Sequence, residues 1–291
     1  MLNKSLILVM VLSLGLSLLI SSGKTFAADP KHDNETTVFD KTFSWQFMGG
    51  ISGVYDQSPI KGNKQSEFED YLHVSLLFDL YYKGFFMQSN HRRSSAATLG
   101  GEIGYELIVK DSWELDIISK TYVSGYEPSD IIDNRDRDIP TLSGLEDRDF
   151  GRGIGLRYSR FYQNSVLSID VASLAPLSKA NGWVADVFYS HLIPYRNWDI
   201  YLGAGFTYYS AGVTDYFVGV NQDEASSARP FYEPGSGYQA QLEVFAQHPI
   251  SRNWSFNAGI TQSYYSATIN DSPIIGKQHL TTVMLGVLYV F

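Results

Sequence analysis

Seven acidic side chains recur inside stretches where apolar and polar residues alternate: Asp79, Glu102, Glu106, Glu114, Asp116, Asp186 and Glu243. Lys110, Lys120 and Arg157 are among the few cations in the same stretches. If each stretch is a β-strand, alternate residues share a face, and all ten fall on the polar one. Carboxylates ringing a lumen select for cations, which would give a narrow acidic channel. The same groups, paired with one another or with water, would instead fill the interior. Both arrangements are open to a barrel lying between the small filled ones and the open porins.

Nucleophilic chemistry has one candidate. His73-Val74-Ser75 is similar to the His-x-Ser element of outer-membrane phospholipase A, and a turn at Tyr82-Lys83 sets Asn90 roughly opposite Ser75. The pair shares the polar face with Asp79, whereas that enzyme's site faces lipid, so a polar lumen pair is preferred and no catalysis is expected. His32, His91, His191, His248 and His279 show no metal-ligand spacing, and no cofactor is expected. The acidic loop Asp130 to Asp149 could hold Ca²⁺ or bridge lipopolysaccharide, but such runs are more often solvated loops. Gly151-Arg152-Gly153-Ile154-Gly155 precedes no helix, so it reads as a place where strands approach closely and not as a phosphate loop.

The elements that would position these groups are clearest at the C-terminus. Val283, Leu285, Val287, Tyr289 and Phe291 give one wholly apolar strand face ending on an aromatic residue. That pattern resembles the closing strand that targets bacterial outer-membrane barrels to their assembly machinery. At the other end, Lys4, the apolar run Leu6 to Ile20 and the small-residue exit at Thr25-Phe26-Ala27 read as a signal peptide over 1–27. A periplasmic leader is expected over 28–42 and the barrel over 43–291. An exported chain without a second long apolar run can enter a membrane only as a closed barrel, because lipid tolerates no unpaired backbone.

Twelve segments have the length needed to cross at the usual tilt: 43–54, 69–81, 84–91, 98–110, 113–125, 148–160, 165–175, 182–193, 198–211, 237–249, 254–266 and 278–291. Their connections alternate strictly between tight and long. The tight ones are Tyr82-Lys83, Asp111-Ser112, Tyr162 to Asn164, Pro194 to Asn197 and Ile250 to Asn253. Outer-membrane barrels place short turns in the periplasm and long loops outside. Trp45, Trp113, Trp198 and Trp254 all fall at the tight-turn ends, as an interfacial girdle would, and only Trp183 lies at the other end.

Composition narrows the choice further. There is no Cys, against 20 Tyr, 17 Phe and 25 Gly, so disulfide scaffolds and thiolate sites are excluded. Removing the two Lys of residues 1–27 leaves 20 basic and 31 acidic residues, a formal charge of −11. Such a chain lacks the basic face a nucleic-acid partner needs. The expectation is an all-β, up-and-down antiparallel transmembrane barrel of about 12 strands in the bacterial outer membrane, with lipid and lipopolysaccharide around it.

From about Tyr208 onward the chain resembles the MipA/OmpV family of outer-membrane proteins. The stretches carrying the resemblance are Asp215-Tyr216-Phe217-Val218-Gly219-Val220 with Glu224-Ala225, Tyr232-Glu233-Pro234-Gly235-Ser236-Gly237, Asp271-Ser272-Pro273-Ile274-Ile275 and Gly286-Val287-Leu288-Tyr289-Val290-Phe291. The first long loop, Tyr55 to Gly62, matches only in part. What the resemblance implies is a non-enzymatic barrel acting as a scaffold between a murein hydrolase and a peptidoglycan synthase. A narrow cation-preferring channel, or a surface adhesin using loops 126–147 and 212–236, is the alternative.

Overall fold

The computed structural model describes residues 43–63, 71–89, 101–128, 139 and 141–291. The expected signal peptide, leader and Asn90, and half of the loop from Asp130 to Asp149 (130–138 and 140), lie outside the described residues. Twelve strands run in chain order: β1 (Phe43–Asp56), β2 (Leu72–Tyr82), β3 (Phe85–Ser89), β4 (Gly101–Lys110), β5 (Trp113–Val123), β6 (Gly151–Phe161), β7 (Ser165–Ser173), β8 (Trp183–Tyr195), β9 (Trp198–Tyr209), β10 (Gly237–Pro249), β11 (Trp254–Tyr265) and β12 (His279–Val290). Two helices, α1 (Ala211–Val218) and α2 (Ala267–Asn270), lie in the last two long loops. Each strand pairs antiparallel with its neighbours in sequence, and β1 pairs with β12 to close the barrel.

The two faces of the wall are inverted relative to a water-soluble barrel. Leu242 is 60% exposed while its neighbour Glu243 is 5% exposed, and Ile51 at 56% precedes Ser52 at 2%. Leaving such a belt in water would forgo about 2 kcal/mol per large apolar side chain. Hydrocarbon removes that cost, which fixes the outward face as the lipid face.

Two turns differ from expectation. Lys83 and Gly84, both at positive φ (48° and 88°), form the first hairpin turn, so Tyr82 pairs with Phe85. The register over the described pairs, Asp79–Gln88 to Tyr82–Phe85, is therefore shifted by two residues from the expected one. Pro194 and Tyr195 belong to β8, which leaves Arg196-Asn197 as the turn, with Arg196 at φ 54°.

Outside the membrane belt, the long loops fold together over one mouth of the barrel. Ile60, Leu142, Leu145, Leu174, Val213, Phe217, Val220, Ile274 and Ile275 form one buried cluster drawn from five loops. Gly151 at the start of β6 makes room for it, since a Cβ there would lie 2.9 Å from the Phe217 ring of α1. Backbone bonds tie the first loop to the last: Lys61 N–H donates to Ile274 O and Gly276 N–H to Pro59 O, each at 2.8 Å. At the opposite rim Phe291 N–H donates to Phe47 O at 3.1 Å.

Candidate functional site

The inward face carries the ionisable chemistry, and it is organised in three tiers. At mid-height Arg157 (β6) grips two carboxylates at once. It donates to Glu102 at 2.5 and 2.9 Å and to Asp170 at 2.8 and 3.1 Å. Lys120 (β5) lies 2.5 Å from Asp170 and 3.0 Å from Asp186. Thr207 completes Asp186 at 2.7 Å, and Gln88 donates to Glu102 at 2.7 Å. All five ionised groups are 5% exposed or less, so the middle of the lumen is filled by charges that satisfy one another.

Below this tier, toward the tight turns, stand Asp79, Glu106, Glu114 and Asp116. Glu106 accepts from Tyr81 at 2.8 Å, and its cross-strand neighbour is another acid, Asp116. None of the four forms a salt bridge with a cation among the described residues. Asp79 is exposed to water in the mouth, whereas Asp116 is 2% exposed and its Oδ1 has no hydrogen-bond partner. Glu243 stands on another part of the wall beside a cavity of about 10 Å³, room for one water. A Cβ at Gly203 would lie 2.4 Å from Glu243 Cγ, so the glycine lets that carboxylate lie flat against β9.

The third tier is the loop cap. Arg148 donates both hydrogen bonds of one Nη to Glu224, at 2.8 and 2.9 Å. Glu224 also accepts from the backbone N–H groups of Glu146 and Asn221, each at 3.0 Å. Burial would push the Glu224 carboxyl up, but those two N–H groups and Arg148 outweigh it and hold it below the usual range. Arg229, 1% exposed, reaches Thr141 O at 2.9 Å and Ser143 O at 3.2 Å, and also caps Glu224 O. Ser272 donates to Val218 O at 2.6 Å and Tyr232 to Thr268 O at 2.7 Å, so the ties cross from loop to loop.

Lys110 is a correction. A bulge between Glu106 and Ile108 inserts Leu107 into β4, and Lys110 then pairs with Trp113 on the lipid face. His73 and Ser75 face inward opposite Ser52 and Gly50. A second serine–histidine contact was not foreseen: Ser165 Oγ lies 2.7 Å from His191 Nδ1 and accepts from Tyr189 at 2.9 Å. No carboxylate bonds His191 among the described residues, so the pair lacks the third group that orients a catalytic base. Asp170 was also missed, although Leu167, Ile169 and Val171 against Ser168, Asp170 and Ala172 repeat the same alternation.

On the outward face Val283, Leu285, Val287, Tyr289 and Phe291 follow one line, with Val287 opposite Ile51. At the tight-turn end Trp254 stacks edge-on against Tyr289 at 5.1 Å and Trp198 lies 4.7 Å from His248. Trp113 sits 5.8 Å from Tyr158, and Trp45 is 56% exposed at the same end.

Residues 49–291 match the family model described as MltA-interacting protein MipA. The chain belongs to the MipA family. Relatives in sequence are outer-membrane proteins. OmpV of Vibrio cholerae serotype O1 is 25% identical over 185 residues, covering 52% of this chain and 72% of OmpV. The 24 kDa outer membrane protein of Pasteurella multocida is 22% identical over 222 residues, 74% of this chain and 80% of that one. Omp26La of Vibrio anguillarum is 26% identical over 115 residues, and the match spans only 45% of its length. Among solved structures, the outer membrane channel DcaP of Acinetobacter baumannii aligns over 86% of this chain and 97% of its own, at 8% identity and a TM-score of 0.39. This MipA-family protein is a closed twelve-stranded barrel of the outer membrane.

Proposed function

We propose that the protein is a non-conducting outer-membrane anchor whose periplasmic rim docks a murein hydrolase and, through it, a peptidoglycan synthase. The observation that carries this reading is the double closure of the lumen. The loop cap packs one mouth, and the Arg157–Glu102–Asp170–Lys120–Asp186 tier fills the middle. A barrel blocked in this way acts through its surfaces, and the family description names a partner protein. Among the described residues, the available periplasmic surface is the five tight turns and the rim around them. Mild-detergent capture on the tagged protein should retain a murein hydrolase; recovery of none would overturn the reading.

The second reading is a cation-preferring passage. What favours it is the set Asp79, Glu106, Glu114 and Asp116, which line the lumen without a paired cation among the described residues. Planar-bilayer recording separates the two, since the anchor predicts no steps and the passage predicts cation-selective ones.

A further inference from the structure

Two cations stand on the lipid-facing wall at the tight-turn end, one on each side of a tryptophan. Lys110 of β4 is the register partner of Trp113 of β5, and Trp113 is the register partner of Arg160 of β6. Cross-strand partners share a face, so the three side chains form one row across three strands. Two strand spacings set the cation-bearing Cα atoms about 10 Å apart, within reach of two long side chains closing on one headgroup.

Lys110 occupies this place only because of the bulge at Leu107, which turns it out of the lumen. Neither cation has an acidic partner among the described residues. Asp111, next in the chain, forms no ion pair with either. Glu106, Glu114 and Asp116 belong to the opposite, inward face. What surrounds the row is aromatic: the Arg160 guanidinium lies 6.0 Å from the Tyr162 ring centre and the Tyr158 ring 5.8 Å from Trp113. A cation on a lipid-facing wall is costly toward the midplane and cheap near the interface, where headgroup phosphates can neutralise it.

We propose that Lys110, Trp113 and Arg160 form a headgroup site for an anionic phospholipid of the periplasmic leaflet. The two cations hold its phosphate, and the indole seats the glycerol region between them. Lipopolysaccharide carries phosphate too, but it occupies the leaflet at the loop end of the barrel.

Native mass spectrometry of the detergent-purified barrel tests this with three added lipids: phosphatidylglycerol, phosphatidylcholine and lipopolysaccharide. Phosphatidylglycerol should be held in preference to both others. Each of Lys110→Gln and Arg160→Gln should weaken its retention about fivefold and the double variant about 30-fold, while Lys110→Arg retains it. Lys83→Gln, at the same rim but outside the row, should change nothing. Heat-dependent gel mobility reports that each variant is still a folded barrel. The proposal is overturned if the folded double variant holds phosphatidylglycerol as the parent does, if Lys83→Gln weakens it equally, or if either other lipid is held as tightly.

Discussion

The middle and the inner mouth of this lumen use the same residue types to opposite ends. At mid-height three carboxylates meet two cations in a water-poor cluster where each ionised group touches at least one opposite charge. Toward the tight turns, four residues along β4 and β5 from that tier, Glu106 lies directly across from Asp116, and with Asp79 and Glu114 they make four carboxylates with no paired cation among the described residues. Charge in the first region holds strands together; in the second it pushes them apart. The total count of acids therefore says nothing about conductance until their partners are known.

The contrast breaks most sharply at Arg157. Arg157→Met strands Glu102 and Asp170 in a buried setting and should destabilise the barrel by about 3–5 kcal/mol in reversible urea unfolding from lipid vesicles. An unchanged unfolding midpoint would mean that water, and not Arg157, satisfies those acids.

Glu224 extends the comparison to the cap. Glu224→Ala removes the acceptor for Arg148 and two backbone N–H groups and should cost about 3 kcal/mol, read as faster hydrogen exchange at Asn221 and Glu146. The same contact predicts a pH dependence. Because the folded carboxyl titrates below its ordinary 4.5, the stability it provides is full above that value and is lost as pH falls through the lowered one. Cap protection should thus be full above 4.5 and fade on acidification below it, and protection that never falls as the carboxyl is protonated would contradict it.

The effect should reverse sign at Asp116. Asp116→Asn takes one charge out of the unpaired tier and should stabilise by up to about 1 kcal/mol in the same urea assay, whereas a loss would reveal a favourable partner for that carboxylate. Lys179→Ala should be the smallest change. The Lys179–Asp149 pair spans 2.9 Å but both side chains are more than half exposed, so no shift of the thermal midpoint is expected.

The wall was far more legible in the chain than the cap. Strict period-two alternation announces each strand, and turn chemistry punctuates it, so the strand set and the polar face follow from local patterns. Lys110 went astray because a single inserted residue, Leu107, reverses the faces beyond it without leaving a mark in composition. The first hairpin slipped because Lys83-Gly84, not Tyr82-Lys83, supplies the two positive φ values. The cap gave no such signal. Leu142, Leu174 and Ile274 are isolated apolar residues in loops, and Arg148 and Glu224 lie 76 positions apart. Only three-dimensional closure brings them together.

One consequence follows from how the first and last strands meet. Their seam joins the most distant parts of the described chain, so its formation carries the largest loop-closure entropy of any pairing in the wall. It is fastened twice: by Phe291 to Phe47 at one rim, and by the Ile60–Ile275 clasp at the other. A cylinder zipped shut and buttoned at both ends resists sideways parting, so an intruding strand would have to undo a fastening before it could enter.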